Sequence, residues 1–197
     1  MRVSRAQADE NRRRVVDVAS ELFRERGFEG IGVSDLMKAA GLTHGGFYGN
    51  FASKTDLEVE AALHSFDCTL DRLKEAISRS NDALATIVRF YLSTAHRDAL
   101  AKGCGIAALA EDAARAGPEL RTTFERGIRA YLDLLEQAMP ESPAAERPAR
   151  AMAMLSGMVG GLVLARAVDD PALSASILKS TADGLLAGRR APAGAQQ

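Results

Sequence analysis

Four polar side chains near the N-terminus have the chemistry needed to contact nucleic acid. His44 and Tyr48 are four residues apart and therefore share one face of a helix, while Thr43 and Asn50 stand at its two ends. Hydroxyl and amide groups in such places hydrogen-bond to phosphate oxygens or to base edges. These residues are the candidate readers of a DNA sequence.

The elements that would position these readers predict a helix-turn-helix. Apolar residues within 11–26 fall on one helical face, and a second, short helix is expected to begin at Ser34 as its N-cap and to stop at Gly41. Thr43 offers the N-cap of a third helix, on which the readers lie. Two short helices joined across a glycine are typical of a helix-turn-helix, whose second helix enters the major groove.

The third helix is rich in glycine. Phe47 and Phe51 would anchor it on the core, but Gly45, Gly46 and Gly49 each cost a helix about 0.8–1.0 kcal/mol relative to alanine. We therefore expect a helix that is marginal by itself and is held by the two phenylalanines. Because few side chains are left to contact bases, we expect more reliance on phosphate contacts and on DNA shape.

The rest of the chain also has helical periodicity. Ser53-Lys54-Thr55-Asp56 has the spacing of a capping box, and the apolar pattern continues to Ile77, which predicts a rod about 40 Å long. Further helices are predicted at roughly 83–96, 104–114, 118–139, 148–168 and 172–187. The expected organisation is a helix-turn-helix domain at 1–54, a helical C-terminal domain at 55–188 and a disordered tail at 189–197.

Composition agrees with an all-α fold. The 197 residues include no tryptophan and 5% aromatic residues, a usage that favours helices over sheets. Two cysteines are too few for a disulfide scaffold, and the N-terminus lacks the apolar run of a signal peptide. The most apolar stretch, 151–165, is shorter than the roughly 20 residues of a membrane-spanning helix. We expect a cytoplasmic protein that does not enter the membrane.

Charge is slightly uneven along the chain. The net charge is −1, but residues 1–54 carry nine Lys and Arg against seven Asp and Glu. Five arginines crowd the extreme N-terminus: Arg2, Arg5, Arg12, Arg13 and Arg14. They fit either a flexible arm that meets phosphate or a solvated helix start, and charge alone does not decide between the two.

The segment from Ala40 to Leu57 resembles the signature of the tetracycline-repressor (TetR) family. The matching residues are Ala40-Gly41-Leu42-Thr43, Phe47-Tyr48-Gly49-Asn50-Phe51, Ser53-Lys54 and Asp56-Leu57, preceded by Ala19-x-x-Leu22-Phe23 and the Gly27-Phe28 turn. The resemblance covers about the first quarter of the chain. It implies a transcriptional repressor that binds a palindromic operator in double-stranded DNA as a homodimer and is released by a small-molecule inducer.

The resemblance also implies roles for single residues. Ser34 and Lys54 would hold phosphate, Thr43 would contact the DNA backbone, and Tyr48 would contact phosphate or a base. The residues that lie against the groove would be His44, Gly45 and Asn50. The region 55–188 would be the ligand-binding and dimerisation domain.

A dimer interface is expected from the last two helices. The helix within 148–168 is apolar nearly all round, which fits burial inside one subunit, but the resemblance implies a four-helix contact between two subunits. We favour the dimer because it supplies the twofold symmetry that paired half-sites need. The expected interface residues are Met152, Leu155, Val159, Leu162, Val163, Arg166, Ile177, Leu178 and Leu185.

Ligand sites in helical proteins form between helices, from apolar walls with a few polar groups. The candidates for contact with an apolar or aromatic inducer are Phe66, Leu70, Phe90, Tyr91, Cys104, Leu109, Phe124, Ile128, Tyr131, Met154 and Met158. For most of them ordinary core packing is the simpler explanation. Tyr91 and Tyr131 are the stronger candidates, because a buried phenol needs a hydrogen-bond partner.

Cysteines and histidines indicate two further candidate sites. Cys104 follows Lys102 at a predicted helix N-terminus, where dipole and charge would favour a thiolate that reacts with oxidants or electrophiles; a small buried residue is the alternative. His64 and Cys68 have the i,i+4 spacing of two metal ligands, which His96 and Cys104 could complete. Four ligands scattered in this way are more often unrelated, so we expect neither a metal nor a cofactor.

Other classes of protein have less support. The chain has no phosphate-binding loop, nucleophile elbow, metalloprotease helix or dinucleotide fingerprint, and Glu111-Asp112 is interpreted as a surface pair on a helix. We therefore expect no enzymatic activity. A helical binding protein without DNA activity is the other alternative, and it predicts no salt-dependent affinity for duplex DNA.

Overall fold

The computed structural model describes residues 5–187, and the regular elements in that stretch are all helical. They are α1 (Arg5–Arg26), α2 (Val33–Ala39), a 3₁₀ turn (His44–Gly46), α3 (Lys54–Ser78), α4 (Ala83–Tyr91), α5 (Thr94–Asp98), α6 (Gly105–Arg115), α7 (Pro118–Gln137), α8 (Arg147–Arg166) and α9 (Pro171–Ala187). The all-α prediction is confirmed. Arg2 and the predicted disordered tail lie outside the described residues.

The helices group into two compact units. The first contains Met1–Asp71 and Ala99–Arg129, and the second contains Arg72–Asp98 and Ala130–Gln197. The first unit therefore holds the whole predicted helix-turn-helix together with α6 and the first part of α7. The predicted boundary at residue 54 separates a DNA-binding domain from a ligand-binding and dimerisation domain, and it stays a prediction.

Aromatic rings connect the helices of the first unit. Phe23 of α1 meets Phe28 at 5.2 Å between ring centroids, Phe28 meets Phe124 of α7 at 6.5 Å, and Phe124 meets Phe66 of α3 at 5.1 Å. All three pairs are edge-to-face, the arrangement that ring quadrupoles favour, and such pairs contribute about 0.5–1.5 kcal/mol each beyond their burial. The turn after α1 is thereby fixed on α7, which the pair of Phe124 and Phe66 joins to α3.

The first two helices of the helix-turn-helix begin earlier than expected. α1 begins at Arg5. The backbone leaves its extended conformation at Gly32 (φ −88°, ψ 160°), so α2 begins at Val33 and Ser34 lies inside its first turn. The predicted N-cap at Ser34 is therefore wrong. Gly41 follows α2 in the left-handed conformation (φ +72°), as predicted.

The start of α3 has the predicted capping pair. The Ser53 hydroxyl accepts a hydrogen bond from the Asp56 amide at 3.0 Å, and the Asp56 carboxylate accepts one from the Ala52 amide at 3.1 Å. The first bond satisfies a backbone donor that a helix start leaves unpaired, and the second joins the first turn to the residue before the cap. The predicted long helix is confirmed as α3, which has 25 residues.

The predicted helix at 83–96 is divided into α4 and α5. The Ser93 hydroxyl accepts a hydrogen bond from the His96 amide at 3.1 Å and donates one to the Phe90 carbonyl at 2.8 Å. A serine that bonds to nearby backbone groups competes with the hydrogen bonds of a continuous helix. The break between Tyr91 and Thr94 follows from this local competition.

Helices α8 and α9 pack closely in the second unit. A Cβ atom at Gly157 would lie 3.0 Å from Leu185, and one at Gly161 would lie 2.9 Å from Thr181, which is closer than ordinary van der Waals contact. The close packing predicted for α8 is confirmed. Among the described helices, α8 alone is long and apolar enough to cross a membrane; 39% of its most apolar window is buried, and core helices of soluble proteins also meet this criterion.

Candidate nucleic-acid interface

The reading segment, residues 43–51, is mostly turn. Only His44–Gly46 is helical, as one 3₁₀ turn, and residues 47–50 continue as bends and turns. The Phe47 amide donates to the His44 carbonyl at 3.0 Å, and the Asn50 amide donates to the Phe47 carbonyl at 2.8 Å. The predicted third helix is therefore wrong in its type and extent, because three glycines in nine residues leave too little helix propensity.

Two phenylalanines hold this segment on the core, as predicted. Phe47 and Phe51 are buried, and their ring centroids are 5.5 Å apart. The Arg12 guanidinium of α1 lies over the Phe51 ring, 4.4 Å from its centroid, and forms an ion pair with Glu60 of α3. The cation–π contact thus joins the reading segment to α1, and the ion pair joins α1 to α3.

The solvent side of the segment carries most of the predicted readers. Tyr48 is 70% exposed, and its ring contacts Phe47 at 5.2 Å and His44 at 6.3 Å between centroids. The other exposed members of the predicted DNA-contacting set are Ser34, Thr43, His44 and Gly45. Thr43, His44, Gly45 and Tyr48 lie together on one short turn, and we call these four residues the reading face.

Asn50 and Lys54 direct polar atoms toward the protein. The side-chain amide nitrogen of Asn50 donates to the Gly46 carbonyl at 2.7 Å, the last carbonyl of the 3₁₀ turn. The Lys54 ammonium donates to the Phe28 carbonyl at 2.6 Å and lies 3.6 Å from the Glu58 carboxylate. Both side chains are half-buried. These structural roles were not predicted from the sequence, and the DNA contacts of both residues stay predictions.

A buried carboxylate lies beside Lys54. Glu58 is 6% exposed, and burial raises the pKa of its carboxyl, while the Lys54 ammonium opposes that rise and the Glu29 and Asp112 carboxylates add to it. The lysine is therefore the main stabilising partner of this buried group. Its charge is partly used inside the protein, which limits what remains for phosphate.

Asp112 of α6 has a structural role that the sequence pattern does not indicate. Its carboxylate accepts a hydrogen bond from the Phe28 amide at 3.1 Å, and a Cβ atom at Gly27 would lie 2.8 Å from the same oxygen. The interpretation of Asp112 as one member of a surface pair with Glu111 is therefore incomplete, because its carboxylate also holds the turn after α1. The left-handed Gly27 (φ +75°) indicates a turn after α1, but it does not indicate which distant acceptor meets the Phe28 amide.

Comparison with known proteins agrees with this geometry. The family model described as "Bacterial regulatory proteins, tetR family" matches residues 15–61, which run from α1 through the reading segment into α3. Residues 15–61 thus form a TetR-family DNA-binding domain, which supports a TetR-family regulator. The repressor NemR of Escherichia coli K12 is 26% identical over 134 residues, which cover 66% of this chain and 67% of NemR. The predicted likeness to TetR-family transcriptional regulators is thus confirmed.

Solved structures share the fold over nearly the whole chain. A TetR regulator from Chloroflexus aurantiacus aligns with a TM-score of 0.79 and 26% identity, covering 92% of this chain and 95% of the regulator. AibR, solved with isovaleryl coenzyme A and operator DNA, aligns with a TM-score of 0.64 and 16% identity, covering 88% and 97%. The C-terminal helices therefore follow the TetR arrangement although their sequences differ.

The predicted pocket residues lie in the cores of both units. In the first unit Phe66, Leu70, Cys104, Leu109 and Phe124 are buried and Ile128 is half-buried; in the second, Tyr91, Tyr131, Met154 and Met158 are buried and Phe90 is half-buried. A Cβ atom at Gly127 would collide with the Phe66 ring, so the surroundings of that ring are filled. Ligand contact stays a prediction for all of these residues.

The predicted dimer residues divide by exposure. Met152 and Val163 are exposed, Val159, Arg166, Ile177 and Leu185 are half-buried, and Leu155, Leu162 and Leu178 are buried within the second unit. Leu164 and Leu173, which were not predicted, are exposed as well. Exposed apolar side chains on α8 and α9 are available for a partner, whereas the buried leucines pack inside the unit.

Arg166 has a role inside the second unit. Its guanidinium donates to the carbonyls of Arg97 at 3.0 Å and His96 at 2.9 Å, which ties α8 to α5. His96 is buried, and its ring lies 2.7 Å from the Tyr91 carbonyl. Burial lowers the pKa of His96, the positive charges of Arg166 and Arg72 lower it further, and the hydrogen bond with the Tyr91 carbonyl opposes both effects.

The two cysteines have different environments. Cys104 is the N-cap of α6, as its predicted place at a helix start requires, but it is 0% exposed, which favours packing over reaction with solutes. Cys68 is half-buried, with its sulfur 3.4 Å from His64 Nε2. Within residues 5–187 no group of three or more histidine, cysteine or acidic side chains is arranged to hold a metal ion.

Proposed function

We propose that the chain is a ligand-responsive repressor that binds a palindromic operator as a homodimer and leaves it when a small-molecule inducer binds. The reading face carries the DNA-binding part of this proposal, because it exposes Tyr48 and His44 on a segment that Phe47 and Phe51 anchor. Its glycines let the backbone approach DNA closely, which favours phosphate contacts. Operator DNA lies in the bacterial cytoplasm, so that is the proposed location.

The homodimer is supported by the apolar surface of α8 and α9. Met152, Val163, Leu164 and Leu173 are each more than 40% exposed. Burial of apolar surface is favourable by about 25 cal/mol per Å², so a second copy of this surface is its natural partner. A twofold dimer presents two reading faces to half-sites about 34 Å apart on one side of the duplex.

The inducer part rests on the family and on the buried cores. AibR was solved with both an acyl-coenzyme A and operator DNA, and we propose that this chain also couples a small molecule to operator affinity. The buried candidates are mainly apolar or aromatic, which favours an inducer of that character. The inducer must bind the DNA-free state more tightly, because only a difference in affinity shifts the equilibrium.

The reading face is tested by Tyr48→Ala. Operators are selected from random duplex DNA with the full chain, and affinities are measured by fluorescence anisotropy at several salt concentrations. The lost phosphate or base contact is expected to cost about 1–3 kcal/mol, or roughly 5- to 150-fold in affinity. Leu100→Ala is the control, because Leu100 is an exposed apolar residue of the same unit outside the reading segment. Equal affinities for the two variants would contradict the placement of the reading face.

A further inference from the structure

Three side chains from α1 and α3 form a cluster that the proposed function does not use. The Cys68 sulfur lies 3.4 Å from His64 Nε2, and the same nitrogen lies 3.1 Å from an Asp17 carboxylate oxygen. His64 and Asp17 are exposed by 39% and 62% of their side chains, and Cys68 is half-buried. A solute can therefore reach the cluster, unlike the fully buried Cys104.

The geometry favours proton transfer over metal binding. A single ring nitrogen faces both the thiol and the carboxylate, whereas a metal site needs three or more donors directed at one point. An unprotonated Nε2 can accept the Cys68 thiol proton, and the imidazolium N–H formed in this way hydrogen-bonds to the Asp17 carboxylate while the proton stays on His64. A base beside a cysteine activates the thiol as a nucleophile, and here the carboxylate stabilises the charged form of that base.

We propose that Cys68 is a modification site for soft electrophiles of the α,β-unsaturated carbonyl class. The thiol proton passes to His64 Nε2 while the sulfur lone pair forms a bond to the β-carbon. The π pair of the C=C bond moves toward the carbonyl as an enolate, and the proton returns from His64 to the α-carbon. The product is a thioether; nothing is oxidised or reduced, and no group leaves.

The adduct would lie where α1 meets α3. The contact between Asp17 and His64 bridges these two helices, and the same two helices hold the reading segment through Arg12 and Glu60. A group attached to the Cys68 sulfur displaces the imidazole and separates the bridge. We expect modification to lower operator affinity, a consequence that rests on the proposed function, whereas the reactivity of Cys68 does not.

The reactivity is tested with acrylamide on the folded, full-length chain, followed by intact mass and peptide mapping. We expect one adduct, at Cys68, formed at least tenfold faster than on a free thiol at the same pH, and unchanged labelling in Cys104→Ser. His64→Gln keeps a side chain of similar size that cannot take the proton, so the rate should fall at least tenfold. Labelling of Cys104 before Cys68 in the wild type, or an unchanged rate in folded His64→Gln, would overturn the proposal.

Two further arms keep the test decisive. Labelling of Cys104 in His64→Gln reports that this variant has unfolded, and Asp17→Asn then replaces it, because that change leaves both α3 side chains in place. Asp17→Asn is expected to slow the reaction of Cys68 at least threefold. An unchanged rate in Asp17→Asn would overturn the role of the cluster. In the DNA assay, the acrylamide adduct of the wild type is expected to bind the operator at least fivefold more weakly, with Cys68→Ser insensitive to the reagent. Labelled protein that keeps full affinity would refute the coupling, and unlabelled protein without DNA affinity would refute the proposed function instead.

Discussion

Arg12→Met should weaken operator binding although Arg12 lies outside the reading segment. Its guanidinium, 4.4 Å from the Phe51 ring centroid, makes a cation–π contact of about 0.5–1 kcal/mol at an exposed site and about 2 kcal/mol when desolvated. Arg12 and Glu60 are exposed by 36% and 33% of their side chains, so their ion pair adds about 0.2–1 kcal/mol. Methionine keeps an apolar stem over the ring. The expected total loss of contact energy is about 1–2 kcal/mol. If this whole loss destabilises the ordered conformation of the reading segment, operator affinity falls about 5- to 30-fold.

Arg13→Met is the matched control for this prediction. Arg13 pairs with Glu10 on the same helix, is 72% exposed and carries the same charge, so both variants lose equal long-range attraction to DNA. Urea unfolding and operator affinity are measured for Arg12→Met, Glu60→Gln and the double variant, which isolates the ion pair. We expect Arg13→Met to leave the free energy of unfolding within about 0.5 kcal/mol of the wild type. Equal losses of stability and of affinity in both arginine variants would refute the idea that Arg12 holds the segment.

Two other predictions concern the second unit. Gly161→Ala places a methyl group 2.9 Å from Thr181, an overpacking cost of about 1–3 kcal/mol, whereas Gly160→Ala meets nothing within 4 Å and gains about 0.8–1.0 kcal/mol of helix propensity. Urea midpoints should therefore be higher for Gly160→Ala, and equal midpoints would contradict the packing. Burial lowers the pKa of His96 in the folded chain, so its neutral form stabilises the fold above about pH 6.5, and that stability is lost as the pH falls below this value through the folded pKa. His96→Gln should reduce the loss of unfolding free energy between pH 7 and pH 5.5; identical pH profiles would show that His96 is not its source.

Features set by neighbouring residues were predictable from the sequence. The capping pair of Ser53 and Asp56 depends on four consecutive residues, and the left-handed Gly41 depends on the end of one short helix. The anchoring by Phe47 and Phe51 depends on a spacing of four. Each of these patterns has one stable outcome in its local context, so the structure agrees with the sequence-based prediction.

Features set by distant residues were not predictable in this way. Asp112 meets the Phe28 amide across 84 positions of sequence, and Lys54 meets the Phe28 carbonyl across 26. Periodicity locates each helix but does not specify which side chain reaches which turn. The ligand pocket and the dimer interface depend in addition on molecules outside the chain, so their residues remain predictions.

The reading segment shows why these distant contacts matter for function. Its glycines remove the helix propensity that would hold a recognition helix in shape, so its conformation depends on contacts from other elements. Arg12 supplies one such contact from α1, and Asp112 of α6 fixes the turn on which Lys54 also bonds. A change of one or two kcal/mol in any of these contacts is a large fraction of a domain's total stability of about 5–15 kcal/mol. Operator affinity in this chain is therefore expected to respond to substitutions throughout the first unit, and not only to those on the reading face.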